Sequence, residues 1–132
     1  MLVGHNTLRL MVMAMDQRAP NAAELAQMIA LLEDGLKAGA LGLSSGLFTS
    51  PGSYAAPDEM IALCHVVKRY NGGYFTHIRD ESNHVIEAVE EAIHDLTVTT
   101  VRHYSANKVK ASRQPIDPNY DGLCELFKFY FI

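Results

Sequence analysis

Apolar residues recur at spacings of three and four in three stretches of the chain, which predicts three amphipathic helices. The first begins at Asn21, where the order Asn-Ala-Ala-Glu forms a capping-box pattern, and ends at Gly39. The second begins at Pro57, with two acidic residues in its first turn. The third follows a charged turn at residues 79–82. Its predicted apolar stripe consists of Val85, Ile86, Val89 and Ile93.

Short apolar and β-branched runs between these helices predict strands. Residues 40–43 and 74–78 have this character, and residues 96–104, rich in Val and Thr, predict a further strand. Residues 2–5 have the character of a strand end. Helices and strands therefore alternate, which is the order of βα units with helices packed on a parallel sheet. Residues 44–57, rich in Ser, Gly and Pro, are predicted to form a long functional loop.

Composition narrows the class of protein. The 132 residues are 48% hydrophobic and 20% charged, as in one ordinary globular domain. Eleven Lys and Arg against fifteen Asp and Glu give a net charge of -4 without a basic block, which argues against a nucleic-acid partner. No stretch has the pattern of a membrane span or a secretory signal. We expect a soluble cytoplasmic protein, with Cys64 and Cys124 as buried reduced thiols.

Three of the six histidines, His5, His77 and His103, fall at or near predicted strand ends. Ligands of parallel α/β sheets gather at the carboxyl ends of strands, and imidazole is a favoured zinc ligand. The alternative for each is a hydrogen-bonded core histidine, and no HxH, CxxC or HExxH spacing favours a metal. The other three are expected to be solvated helix residues. They are His65, His84 and His94.

Charged residues follow His77 directly. Arg79 is interpreted either as a clamp for an anionic substrate group or as a structural residue, and one neighbouring acid as a partner that orients the histidine. For Asp80 a cap of the next helix is favoured. The sequence Ser44-Ser45-Gly46 matches neither the GxSxG nor the phosphate-loop pattern, so a nucleophilic serine is not predicted.

Segments in order from Leu2 to Ile93 resemble the N-acyl-D-amino-acid deacylases (D-aminoacylases) of the amidohydrolase superfamily. The most specific are GALGLSSGL at 39–47 and THIRDE at 76–81. The resemblance implies an α/β fold, a (β/α)₈ TIM barrel of which three to four βα units are present here. It also implies zinc at the C-terminal mouth, which activates the water that hydrolyses the amide bond of an N-acyl-D-amino acid.

Within that family the histidine of the THxRDE motif is a zinc ligand, which implies this role for His77. A later strand supplies a second histidine in an SHHK-like or SHYK-like motif. A count without gaps reaches residues 105–108, which contain no histidine, whereas a one-turn deletion after Ile93 aligns His103 with it. The resemblance also implies that Lys108 lies near the substrate carboxylate, and Arg79 is the other candidate for substrate binding.

Several family residues have no counterpart here: the early HxH pair, the ligand cysteine and the late catalytic Asp. A barrel also needs about 250 residues. We therefore assign no catalytic residue and expect an inactive fragment, or a truncated or frameshifted product, with a partial barrel at 1–95 and a divergent continuation or truncated tail at 96–132. The alternatives are a non-catalytic remnant that self-associates through exposed sheet edges, and a self-contained α/β domain that binds a small anion.

Overall fold

The computed structural model describes the backbone of residues 1–99 and the side chains of residues 1–95. Short strands and longer helices alternate along this part of the chain, as the sequence predicts. In order, the elements are β1 (Val3–Gly4), α1 (His5–Met13), α2 (Ala22–Lys37), β2 (Gly42–Gly46), a 3₁₀ helix (Gly52–Tyr54), α3 (Pro57–Arg69), β3 (Gly73–His77) and α4 (Val85–Thr99).

The starts of α2 and α3 follow the predicted local chemistry. Asn21 Oδ1 accepts hydrogen bonds from the backbone N–H groups of Ala23 and Glu24 at 2.9 and 3.0 Å. The Glu24 carboxylate in turn accepts from the Asn21 N–H at 2.8 Å, which confirms the capping box. Helix α3 begins at Pro57, whose fixed φ suits the first helical position.

The three strands form a parallel sheet with β2 in the centre. Leu43 pairs with Val3 on one side and with Tyr74 on the other, and Gly46 pairs with His77. The strands approach closely where Gly42 pairs with Gly73, because a Cβ at Gly42 would overlap the Gly73 backbone. Gly42 also has a φ of 153°, which side-chain-bearing residues rarely adopt.

Helices cover one face of this sheet. Alternate strand residues Leu43, Ser45, Tyr74 and Thr76 are buried on that face, as the twofold period of a strand requires. Phe75 points to the opposite face and is 52% exposed. The helical side of the core consists chiefly of Met28, Leu32 and Leu36 from α2 and Met60, Leu63 and Val67 from α3. Among the described residues, the sheet is therefore packed on one side.

The second strand lies two residues later than predicted. Leu41 is exposed, and the strand instead includes Ser44 and Ser45. The Ser45 hydroxyl lies 2.7 Å from both Tyr74 Oη and Thr76 Oγ1, so hydrogen bonds satisfy a polar residue in a buried strand position. The predicted loop at 44–57 consequently begins at residue 47.

Residues 5–13 form α1, an element that the sequence pattern does not predict. One further prediction is corrected, because α4 continues to Thr99. The predicted strand at 96–104 is therefore wrong in its first part, because the helix continues through Val and Thr residues that favour strands locally. The rest of that strand lies outside the described residues. Ala88 is buried on α4, whereas Ile86 and Ile93 of the predicted stripe are exposed.

Within residues 1–99, no helix combines the length and the apolar character that a membrane crossing requires.

We predict that Gly42→Ala lowers the free energy of unfolding by about 3 kcal/mol, because the new methyl group meets the β3 backbone at an unfavourable φ. Gly39→Ala is the matched control. Gly39 also has a positive φ, but no atom lies within 4 Å of the place its added methyl group would take, so a loss of about 1 kcal/mol is expected. Urea unfolding followed by circular dichroism measures both, and equal losses would contradict the close approach of β2 and β3.

Candidate functional site

His77 is the last residue of β3 and lies at the carboxyl end of the sheet. Its side chain is 46% exposed, and Nε2 lies 3.3 Å from Glu81 Oε1. Nδ1 lies 3.3 Å from the Ile78 carbonyl oxygen, which can accept its proton in one tautomer. The Phe48 ring lies 5.9 Å from the imidazole ring. The predicted metal ligand thus lies at an accessible position at the end of the sheet.

The donor set for a metal is incomplete in the described part of the chain. No three His, Cys, Asp or Glu side chains converge among the residues whose side chains are described. His77 fits one ligand position in its chemistry and location, and the neighbouring Glu81 carboxylate fits either an orienting partner or an oxygen donor. The predicted second ligand His103 and the predicted substrate contact Lys108 lie outside the described residues.

His5, in contrast, is a core histidine. It is fully buried as the first residue of α1, and its Nε2 lies 2.8 Å from Glu59 Oε1 on α3. The other oxygen of Glu59 accepts from the Arg9 guanidinium. Arg9 also donates to the carbonyl oxygens of Asp16 and Arg18, which follow α1, at 3.3 and 2.8 Å. Of the two interpretations of this strand-end histidine, the hydrogen-bonded core residue is therefore confirmed.

Sequence reasoning missed this buried His5–Glu59–Arg9 cluster. Glu59 follows Pro57 and Asp58 at a helix start, where acidic residues are expected to be solvated, and nothing local indicates its partner 50 positions away. The available signal was Arg9, a single charge inside the otherwise uncharged run at 7–15. A lone arginine in an apolar helix needs a buried acid, and Glu59 supplies it.

Arg79, two residues beyond His77, contacts an internal carboxylate. Its Nε and Nη2 donate to the two oxygens of Glu91 at 2.9 and 2.8 Å, and this hydrogen bonding raises the pKa of the guanidinium. Nη1 donates to the Ser53 carbonyl and Nη2 to the Ala55 carbonyl, each at 2.9 Å. The predicted role of Arg79 in substrate binding stays a prediction.

Asp80 does not cap the next helix as predicted, whereas the three helix histidines are solvated as predicted. Asp80 Oδ1 accepts from the Ser82 N–H at 2.6 Å. This Asx turn precedes α4, which begins only at Val85, so Asp80 caps a turn rather than the helix itself. The three histidines predicted to be solvated are exposed: His65, His84 and His94.

Two buried titratable groups, Cys64 and Asp95, are fully covered. Burial raises the pKa of the Cys64 thiol to about 12, which favours the protonated thiol at neutral pH, and Cys64 is a free cysteine as predicted. Burial, with the nearby Glu91 carboxylate, raises the pKa of Asp95 to about 6. Neither group joins His77.

The sequence is similar to curated deacylases over part of its length. It is 48% identical over 93 residues to N-acyl-D-aspartate deacylase of Alcaligenes xylosoxydans xylosoxydans, a match that covers 70% of this chain and 19% of the relative. It is 42% identical over 90 residues to D-aminoacylase of the same organism, covering 68% of this chain and 19% of that protein. The chain thus spans about a fifth of the length of these relatives. No protein-family model matches the sequence.

Solved structures give the same result. The fold matches N-acyl-D-glutamate deacylase from Bordetella bronchiseptica, complexed with zinc and a phosphonate mimic of the tetrahedral intermediate, with a TM-score of 0.73 and 40% identity. The match covers 75% of this chain and 21% of that one. A D-aminoacylase with a binuclear metal centre matches with the same TM-score and 38% identity, over 76% of this chain and 21% of its own.

We predict that Glu59→Ala lowers the free energy of unfolding by roughly 3–5 kcal/mol, because it leaves the Arg9 guanidinium buried without its carboxylate. Glu33→Ala is the control. Glu33 pairs with Arg69 and Lys37 on an exposed surface, so its loss is expected to cost less than about 1 kcal/mol. Urea denaturation of both variants at neutral pH measures the difference. Similar, small losses would show that the cluster is not a buried ion pair.

Proposed function

We propose that this chain supplies one section of a catalytic barrel. Over the part it spans, the chain belongs to the N-acyl-D-amino-acid deacylases of the amidohydrolase superfamily. The complete enzyme would hydrolyse the amide bond of an N-acyl-D-amino acid. The observation that carries this proposal is that His77, in the THIRDE segment that resembles the family, lies at the carboxyl end of a parallel strand with an accessible imidazole. The activity would belong to the whole protein of which such a section forms about a fifth.

The partial-barrel fold is part of the proposal. Three parallel strands adjacent in chain order, with helices on one face, are what a section of a (β/α)₈ barrel contains. In such a barrel the helices lie outside and the other face of the strands lines the interior. Phe75 and His77 lie on that other face, against which side chains of further strands would pack. The division into residues 1–95 and 96–132 likewise stays a proposal.

Zinc is the expected metal, since a solved relative contains it. His77 of this chain would hold the ion, with Glu81 beside it to orient the imidazole. When bound, zinc supplies an activated water molecule and polarises the carbonyl of the amide. His103 as second ligand and Lys108 as contact to the substrate carboxylate are proposed from the sequence alone.

The 132 residues by themselves are proposed to be inactive. His77 and Glu81 supply at most two donors at the end of the sheet, and the described side chains converge on no third His, Cys, Asp or Glu. Hydrolysis would therefore require the remainder of a barrel.

A chimera tests the proposal. The 93-residue segment of this chain that is 48% identical to the Alcaligenes N-acyl-D-aspartate deacylase would replace its counterpart in that enzyme. We predict that the chimera hydrolyses N-acetyl-D-aspartate and that His77→Ala lowers its kcat/KM by at least about 100-fold, since even partners of metal ligands contribute 10–100-fold. His65→Ala, an exposed histidine on α3, is the control and should have no effect.

Two results would contradict the proposal: full activity in the His77→Ala chimera, or an inactive chimera that is folded and binds zinc. The first would remove His77 from the metal site. The second would show that this segment cannot support the reaction even when every other part of the enzyme is present.

A second candidate function is self-association as a non-catalytic module. The observation that favours it is the uncovered sheet face, where Phe75 is half exposed, together with β1 and β3, whose outer edges pair with no strand among residues 1–99. Sedimentation over a range of concentrations distinguishes the two candidates, because a mass that rises with concentration is expected only for the module.

A further inference from the structure

We propose that Arg79 is a positioning residue that holds the loop between β2 and α3 against the end of β3 and so fixes the orientation of His77. This loop, residues 47–56, is called the β2–α3 loop below. The inference rests on the proposed function only where it treats His77 as a metal ligand. The contacts that carry it lie within the described part of the chain.

The Arg79 guanidinium joins three segments. It donates to both oxygens of Glu91 on α4, and to the carbonyl oxygens of Ser53 and Ala55 near the end of the β2–α3 loop. Arg79 is 29% exposed and Glu91 17% exposed, so the pair is largely shielded from water. These four acceptor oxygens require the planar guanidinium group, because a lysine ammonium cannot donate to two carboxylate oxygens and two separate carbonyl oxygens at once.

The other end of the β2–α3 loop contacts His77 itself. The Leu47 N–H donates to the His77 carbonyl oxygen at 3.1 Å, and the Phe48 ring lies 5.9 Å from the imidazole ring, tilted by 43°. Both ends of the loop are therefore attached to residues 77–79. A change at the Arg79 end alters the constraints on the backbone and ring of His77.

The middle of the loop is stiff enough to transmit such a change. Backbone hydrogen bonds link Ser53 to Thr49 at 3.0 Å, Tyr54 to Pro51 at 3.2 Å and Ala55 to Gly52 at 3.0 Å. These bonds form the 3₁₀ turn at Gly52–Tyr54 and leave few free rotations between the two attachment points. The loop thus acts as one rigid piece with two contacts to the end of β3.

Direct binding of a substrate anion by Arg79 is the competing role. That role would require Arg79 to release the Glu91 carboxylate, which already accepts hydrogen bonds from both Nε and Nη2 of the guanidinium. The two roles differ in what Glu91 does. In a positioning role Glu91 is as important as Arg79, whereas in a substrate-binding role its removal frees Arg79 for the ligand.

The test uses the full 132-residue chain and the variants Arg79→Lys, Glu91→Gln and the double variant. Amide hydrogen exchange at Leu47 and the NMR signals of the His77 imidazole, assigned with His77→Asn, are the readouts. We expect each single variant to raise exchange at Leu47 roughly tenfold, as for a lost charged hydrogen bond, and to shift the His77 signals. The double variant should match the single ones, because all three break the same connection.

Two controls separate this result from general destabilisation. Exchange at Leu63, in the buried centre of α3, should stay unchanged relative to the wild type. Arg69→Lys alters another arginine–glutamate pair, the exposed Arg69–Glu33 bridge, and should change neither readout. Equal increases at Leu47 and Leu63 would overturn the proposal, as would an unchanged Leu47 and His77 in Glu91→Gln.

Binding of N-acetyl-D-aspartate to the chimera described above tests the competing role. If Arg79→Lys weakens binding while Glu91→Gln does not, Arg79 contacts the substrate directly and the positioning role is wrong. Absence of zinc binding by His77 would defeat the proposed function but would leave the exchange experiment fully interpretable, because Leu47 and His77 are observed without metal or substrate.

Discussion

Helices α2 and α3 pack on one face of a parallel sheet, and this one-sided burial determines where the chemistry-bearing side chains lie. Because side chains alternate along a strand, Tyr74 and Thr76 enter the core while Phe75 and His77 point to the other face. The hydroxyl of Ser45 satisfies its polar neighbours inside the core. The accessible histidine therefore results from strand register rather than from a local motif.

Two arginine–glutamate pairs hold the ends of the sheet in place. Glu59 joins Arg9 and His5 and so connects α3 to the start of α1, whereas Glu91 joins Arg79 and connects α4 to the loop beside His77. Both carboxylates accept bonds from a shielded guanidinium, which makes the loss of either acid costly. Arg79 and Glu91, which lie close to the candidate site, thus serve internal contacts.

Much of the fold could be predicted from the sequence, because a capping residue, a proline or a glycine marks where an element begins or ends. Helices α2 and α3 begin where the capping box and Pro57 indicate. The predictions failed where residues distant in the sequence determine the local secondary structure. Ser45 lies in a strand because its hydroxyl forms hydrogen bonds with the hydroxyls of Tyr74 and Thr76, and α4 continues through residues with strand propensity. Tertiary contacts override local propensity at these positions.

The candidate site could be predicted only in part, for the same reason. The family motif identified His77, and its location at the end of β3 follows from the alternation of strands and helices. The burial of His5 could not be predicted, because it depends on Glu59, which is 54 positions away. Both His5 and His77 are predicted at strand ends, so position in the sequence does not distinguish them. Only the packed structure shows that His5 is a core residue and His77 an accessible one.

Histidine modification by diethyl pyrocarbonate, followed by mass spectrometry, tests this distinction most directly. The chain would be treated without metal at neutral pH, with the exposed His65 as internal reference. We expect His77 to react at a rate close to that of His65, and His5 to react far more slowly until the chain unfolds. Equal reactivity of His5 and His77, or protection of His77, would contradict the one-sided fold that places an accessible histidine at the end of the sheet.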